Sequence, residues 1–210
     1  MEKLLGTRHA RPYNNEVVMK DYWKRRSRKS PRLPGYDYSR EGAYFVTICT
    51  HQQIPHFGKI VDGQMEFSEM GKVAVSCWAE IPAHFPQVEL DVYVIMPNHV
   101  HGIVLIVDKS ANLRVTNAGT RHASSVQQQN QSQNQKRPKG VKSGSLGAIV
   151  GSYKSAVTRL IRHSIDQDRQ AIWQERYHDR IIHDERSMNE IRNYVLYNPA
   201  KWENDRFYAG

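Results

Sequence analysis

Two histidines one residue apart, His99 and His101, stand in the run Pro97-Asn98-His99-Val100-His101 that leads into an apolar stretch. Side chains alternate along a strand, so both rings share one face, with Cα atoms about 7 Å apart. Two imidazoles at that spacing converge on one ion, and neutral imidazole, the metal-binding form, is available near pH 7. Two ligands leave coordination positions open, which suits an ion that holds a substrate oxygen rather than a closed structural site. The bland alternative is a pair of hydrogen-bonded core histidines. A His-x-His-x-His pattern is excluded because Ile103 occupies the third position, and the helical H-E-x-x-H zinc motif is absent.

An ion that polarises a phosphodiester needs a nucleophile, and neither a Ser-His-Asp nor a reactive cysteine arrangement is legible. Tyrosine is abundant, at 11 copies. Tyr153 lies on the apolar face of a helix expected to pack on a sheet, from where its phenol is expected to reach across to the histidines. An ordinary phenol, with a pKa of about 10, needs a metal or a base to attack. Tyr177 and Tyr194 read as weaker candidates, grouped with Trp173 and Tyr197 as docking residues for the last helix. Lys154, Arg159 and Arg162 share the polar side of the Tyr153 helix, as a solvated face or as a phosphate track.

The elements that must position these groups follow from periodicity and punctuation. Residues 44–50 are β-branched and aromatic and read as a strand. Residues 57–61 and 64–67 flank Asp62-Gly63, a strong hairpin signal. Ser68 caps an amphipathic helix from about Glu69, with Pro82 and Pro86 at its end. Residues 88–96 and 100–107 are two apolar strands joined by a tight turn at Met96-Pro97-Asn98. Ser145 caps a helix to about His163, and a last helix covers 186–197, stopped by Asn198-Pro199. Residues 171–173 and 180–183 read as short edge strands. The order approximates β-α-β-β-α-β. That is an α+β class chain of the ferredoxin-like split β-α-β plan, an antiparallel sheet with helices on one face, here with a C-terminal helix added.

The chain has 210 residues and a formal charge of +9, from 30 Lys and Arg against 21 Asp and Glu. A balance this basic points to a polyanionic partner. Residues 1–40 hold 11 of the basic residues and only 4 acidic ones. Arg25, Arg26, Arg28, Lys29 and Arg32 alternate with aromatics in what reads as a basic, DNA-binding N-terminal arm. Residues 108–144, with the run SSVQQQNQSQNQ, read as a disordered insert within a domain spanning 41–208. No apolar run approaches the roughly 20 residues of a membrane span, no signal peptide is visible, and two cysteines build no disulfide framework. A reducing cytoplasm is the expected location, with no membrane partner.

Four segments in order, RSRKSPRLPGYDYSREGAYFVTICT, MPNHVHGIVLI, LGAIVGSYKSAVTRLI and IRNYVLYNPAKWENDRFY, resemble the REP-associated tyrosine transposases, a branch of the single-tyrosine HUH (His-hydrophobic-His) transposases. The resemblance covers about residues 25–208. It implies a ferredoxin-like, single-stranded DNA endonuclease and strand transferase acting on palindromic hairpins. It also implies Mg²⁺ or Mn²⁺ on His99 and His101, and a helix tyrosine, Tyr153, that forms a 5′-phosphotyrosine. Related transposases carry a metal-ligating Gln one turn after the tyrosine. Here that position is Val157, which leaves the third ligand unassigned, with His51 as a stand-in. The departure favours a second reading, a catalytically silent DNA-hairpin-binding protein. An RNA-binding module is a third. Both a monomer and a homodimer fit the resemblance.

Overall fold

The computed structural model describes residues 33–108, 141–164 and 170–208. The basic residues Arg25, Arg26, Arg28, Lys29 and Arg32, and positions 109–140 of the expected insert, lie outside the described residues.

Strand β1 (Gly42–Cys49) is followed by the hairpin β2 (Gly58–Val61) and β3 (Gln64–Phe67), then helix α1 (Glu69–Ala79) and the single turn α2 (Ile81–His84). Strands β4 (Val88–Met96) and β5 (His99–Ile106) come next, then helix α3 (Leu146–Ser164), strand β6 (His178–Ile182) and helix α4 (Glu185–Leu196). The main sheet runs β4-β5-β1-β6 with every neighbouring pair antiparallel. This is the ferredoxin-like order, with β2–β3 inserted as a separate hairpin. Asp62 (φ 50°) and Gly63 (φ 73°) give that hairpin its tight turn, both left-handed as a two-residue primed turn requires.

The helices start where their caps stand. Ser68 Oγ accepts from the Gly71 amide at 3.1 Å, and Asp184 Oδ1 accepts from the Ser187 amide at 2.8 Å. Among the described residues no helix is long and apolar enough to cross a membrane.

The sheet is covered on both faces. One face presents Tyr44, Val46 and Ile48 of β1 and Val100, Val104 and Ile106 of β5 to Met70, Ala74, Cys77 and Trp78 of α1 and to Ile149, Val150, Tyr153, Val157 and Ile161 of α3. Gly102 belongs to this face. A Cβ there would come within 2.3 Å of Trp78 Cζ2, so the indole fills the space a side chain would need. The opposite face carries Phe45 and Thr47 of β1 and His99, His101 and Ile103 of β5, all buried. It is closed by α4, through Ile191 and Val195, and by the segment after it, through Phe207. Burying such an aliphatic side chain stabilises the chain by roughly 1.5–3 kcal/mol, which holds a helix as polar as α4 in place. Arg192 of α4 adds a forked pair to Asp91, with Nε 3.0 Å from Oδ1, at the irregularity of β4 between Leu90 and Tyr93.

A buried histidine pair and the tyrosine beside it

His99 and His101 are fully buried, with ring centroids 4.4 Å apart. Their backbone is set by the turn before β5. The Thr50 amide and hydroxyl both donate to the Asn98 carbonyl, at 2.8 and 2.9 Å, and Asn98 Nδ2 donates to the Phe207 carbonyl at 2.7 Å. Each ring is then held through Nδ1. For His99 the partner is Asn98 Oδ1 at 2.8 Å, which as an acceptor places the proton on Nδ1. For His101 it is Thr47 Oγ1 at 2.8 Å, from the residue opposite in the β1–β5 ladder. Both Nε2 atoms are left for other work. His99 Nε2 is buried with no hydrogen-bond partner, and His101 Nε2 faces the Tyr194 hydroxyl at 3.1 Å.

Asp205 completes the group. One ligand atom from each of His99, His101 and Asp205 lies within 4.8 Å of the other two. Asp205 Oδ2 accepts from Asn198 Nδ2 at 2.8 Å and from the Tyr194 hydroxyl at 3.3 Å, and Oδ1 accepts from the Phe207 amide at 2.7 Å. Burial pushes His99 down to about 3, helped by Arg206, and burial with the neighbouring His99 pushes His101 well below its ordinary value. Both rings are therefore neutral at pH 7, the state that ligates. Burial and the Asp205 carboxylate raise the Tyr194 phenol, so it is fully protonated until a positive charge opposes them. An orphaned buried ring nitrogen, a second neutral imidazole and a carboxylate form a donor set that fits a divalent ion.

The structure brings His99 and His101 together and does not bring Tyr153 to them. Tyr153 is buried on the opposite face of the sheet, edge-on to Trp78 at 5.1 Å, with its hydroxyl donating to the Ala74 carbonyl at 3.3 Å. The expected reach across to the histidines fails because β5 and β1 lie between. Val157 is plain core on that same face. His51 sits in an exposed turn after β1 and is no part of the histidine–aspartate group. Lys154 points back into the protein, donating to the Gln174 and Glu175 carbonyls at 2.6 and 3.1 Å, and burial lowers its pKa. Arg159 lines an open groove with Ser155, Thr158, Arg162 and Trp173 along α3. Sequence reasoning missed Asp205 and read Tyr194 as a docking residue. A signal for Tyr194 was present: Ile191, Tyr194 and Val195 form an i, i+3, i+4 stripe on their own helix.

No family model matches the chain. It is 36% identical over 185 residues to an uncharacterised protein of Haemophilus influenzae, which aligns 87% of this chain with 93% of its relative. The chain belongs to the same family as that protein. Among solved structures it resembles a REP-associated tyrosine transposase bound to a REP hairpin, with a TM-score of 0.51 over 81% of this chain and 73% of that one, at 13% identity. The fold is that of a REP-associated tyrosine transposase.

Proposed function

We propose that the protein is a transposase-type, metal-dependent endonuclease and strand transferase for single-stranded DNA, with Tyr194 as its nucleophile. One observation carries this reading: the Tyr194 hydroxyl lies 3.1 Å from His101 Nε2, at the edge of a buried pair of neutral histidines. His99, His101 and Asp205 would hold the ion, Mg²⁺ or Mn²⁺, which would supply Lewis-acid charge withdrawal at the scissile phosphate and favour the ionised phenol. Tyr194 Oη attacks phosphorus in line. Its proton, hydrogen-bonded to Asp205 Oδ2 at 3.3 Å in the resting site, leaves to solvent water as the new bond forms. The bond to the 3′-oxygen breaks, and that oxygen leaves as a 3′-hydroxyl after taking a proton from water. The 5′-phosphotyrosine conserves the phosphodiester energy, so a 3′-hydroxyl rejoins the strand by the reverse attack without ATP.

Assigning the tyrosine to α4 also removes the apparent departure at Val157. One turn after Tyr194 stands Asn198, an amide whose Oδ1 is buried without a partner. The resemblance calls for an amide side chain at that spacing, so Asn198 is a candidate fourth ligand. The silent-binder reading loses its support with it. Arg25, Arg26, Arg28, Lys29, Arg32 and Arg159 are the proposed phosphate contacts. Lys154 serves as a brace for residues 174–175. The substrate is a palindromic hairpin with a single-stranded flank, handled by a monomer or a homodimer.

The test is direct. The protein is incubated with 3′-end-labelled single-stranded hairpins and Mn²⁺, then resolved on a denaturing gel. A labelled, protein-sized band that disappears with EDTA is the expected result. Tight, salt-sensitive binding of every hairpin with no such band overturns the enzyme in favour of a binding protein.

A further inference from the structure

A groove of ≈ 620 Å³ opens beside the histidine pair, between the β2–β3 turn and residues 199–208. Its size falls in the roughly 300–1,000 Å³ range of small-molecule sites. Trp202 links the two places. Its ring lies 6.0 Å from His99, tilted by 35°, and 5.5 Å from the Tyr208 ring, which stands across it at 87°. Tyr208 is 45% exposed, and Pro55 and Pro97 make further apolar wall. The polar part of the lining is acidic or neutral. It comprises Asp62, Glu203 and Asn204, and the cation among the lining residues, Lys59, is paired with Glu66 at 3.2 Å. Such a wall repels phosphate, while its flat aromatics and acceptor oxygens suit a planar group with N–H donors along one edge.

We infer that this groove holds one unpaired nucleobase, from the nucleotide next to the bond being cut, and that it prefers guanine. The inference rests on the proposed single-strand activity and adds a specificity-determining pocket to it. Tyr208, the exposed ring, supplies the stacking face, and Trp202, at right angles to it, closes the pocket towards His99. Among the four bases only guanine offers two adjacent donors, N1–H and the 2-amino group, to a carboxylate. Position follows from adjacency: one side chain separates the groove from His99, so the base it takes is a direct neighbour of the scissile phosphate.

The experiment uses the full chain without metal, so that it reads binding alone. Fluorescein-labelled nonamers of dT, of dT with one central dG, of the same strand with inosine at that place, and of dT with an abasic site there are titrated by anisotropy. The dG strand binds tightest, inosine and dT are weaker, and the abasic strand is weakest. Tyr208→Ala weakens the dG strand about 5- to 150-fold, the range of one base–aromatic stack, and leaves the abasic strand unchanged. Glu203→Gln and Asp62→Asn erase the gap between dG and inosine. Equal affinities across the four strands, or a Tyr208→Ala loss shared by the abasic strand, overturn the pocket. The covalent-adduct assay separates the two ideas. A wild type that forms no adduct yet keeps the Tyr208-dependent preference for dG sinks the nuclease and spares the pocket. An adduct formed with no base preference does the reverse.

Discussion

Replacing each of two phenols, the buried Tyr153 and the partly buried Tyr194, by phenylalanine separates chemistry from packing. Tyr194→Phe deletes a hydroxyl 3.1 Å from His101 Nε2 and 3.3 Å from Asp205 Oδ2. Tyr153→Phe deletes one 3.3 Å from the Ala74 carbonyl, on the other side of the sheet. A neutral hydrogen bond contributes about 0.5–1.5 kcal/mol and one to a charged group about 1.5–3 kcal/mol. For a chain of this size each kcal/mol moves Tm by roughly 2–4 °C. Tyr153→Phe therefore lowers Tm by roughly 1–6 °C and Tyr194→Phe by roughly 3–12 °C, and both proteins stay folded at 25 °C. Their activities part completely. With Mn²⁺ and a labelled hairpin, Tyr153→Phe forms the covalent adduct at the wild-type level, and Tyr194→Phe forms none. An adduct that persists in Tyr194→Phe, or one lost from a fully folded Tyr153→Phe, refutes the assignment of the nucleophile to α4.

Three further outcomes follow from the same geometry. Thr47→Val keeps the shape of the side chain but removes the partner of His101 Nδ1, and it weakens Mn²⁺ binding about 10- to 100-fold by calorimetry, while His101→Ala abolishes it. Gly102→Ala drives a methyl group into Trp78 and costs about 1–3 kcal/mol in urea unfolding, a penalty that shrinks in a Trp78→Leu background. Hydrogen bonds from Arg192 hold the Asp91 carboxyl below its ordinary 3.8, so the folded chain takes up this proton less readily than the unfolded one. The stability this pair adds is complete above about pH 4 and drains away as pH falls through the lowered value. Urea midpoints measured between pH 5 and 2.5 fall more steeply for the wild type than for Asp91→Asn, and parallel slopes would show that the pair adds nothing.

The fold was largely legible because its signals are local. Asp62-Gly63, the caps Ser68 and Ser145, and the apolar periods of α1, α3 and α4 each depend on neighbours along the chain. The histidine pair was legible for the same reason, since alternation along β5 puts both rings on one side. Which side was harder to read, because β5 is apolar at nearly every position and both faces look like core. The resolving clue lies in the alternation itself. Val100, Gly102 and Val104 alternate with His99, His101 and Ile103, and the first three are the residues that meet α1 and α3. A tyrosine on the core stripe of α3 is therefore drawn to the wrong side by the same periodicity that makes it conspicuous. Tyr194 sits on the stripe of the helix that closes the other face. Asp205 had no local signature. It falls in an irregular turn, and long-range contacts carry it to the site: the packing of Phe207 against the His99 ring at 4.6 Å and the hydrogen bond from Asn98 Nδ2 to the Phe207 carbonyl.

Tyr194, Asn198 and Asp205 all come from a short stretch that follows β6, whereas the histidines are made some 90 residues earlier. During translation the nascent chain thus displays its two imidazoles long before the phenol and the carboxylate have left the ribosome. A frameshift or stop codon anywhere between β5 and α4 would leave a fragment that carries the histidine pair but lacks Tyr194, Asn198 and Asp205.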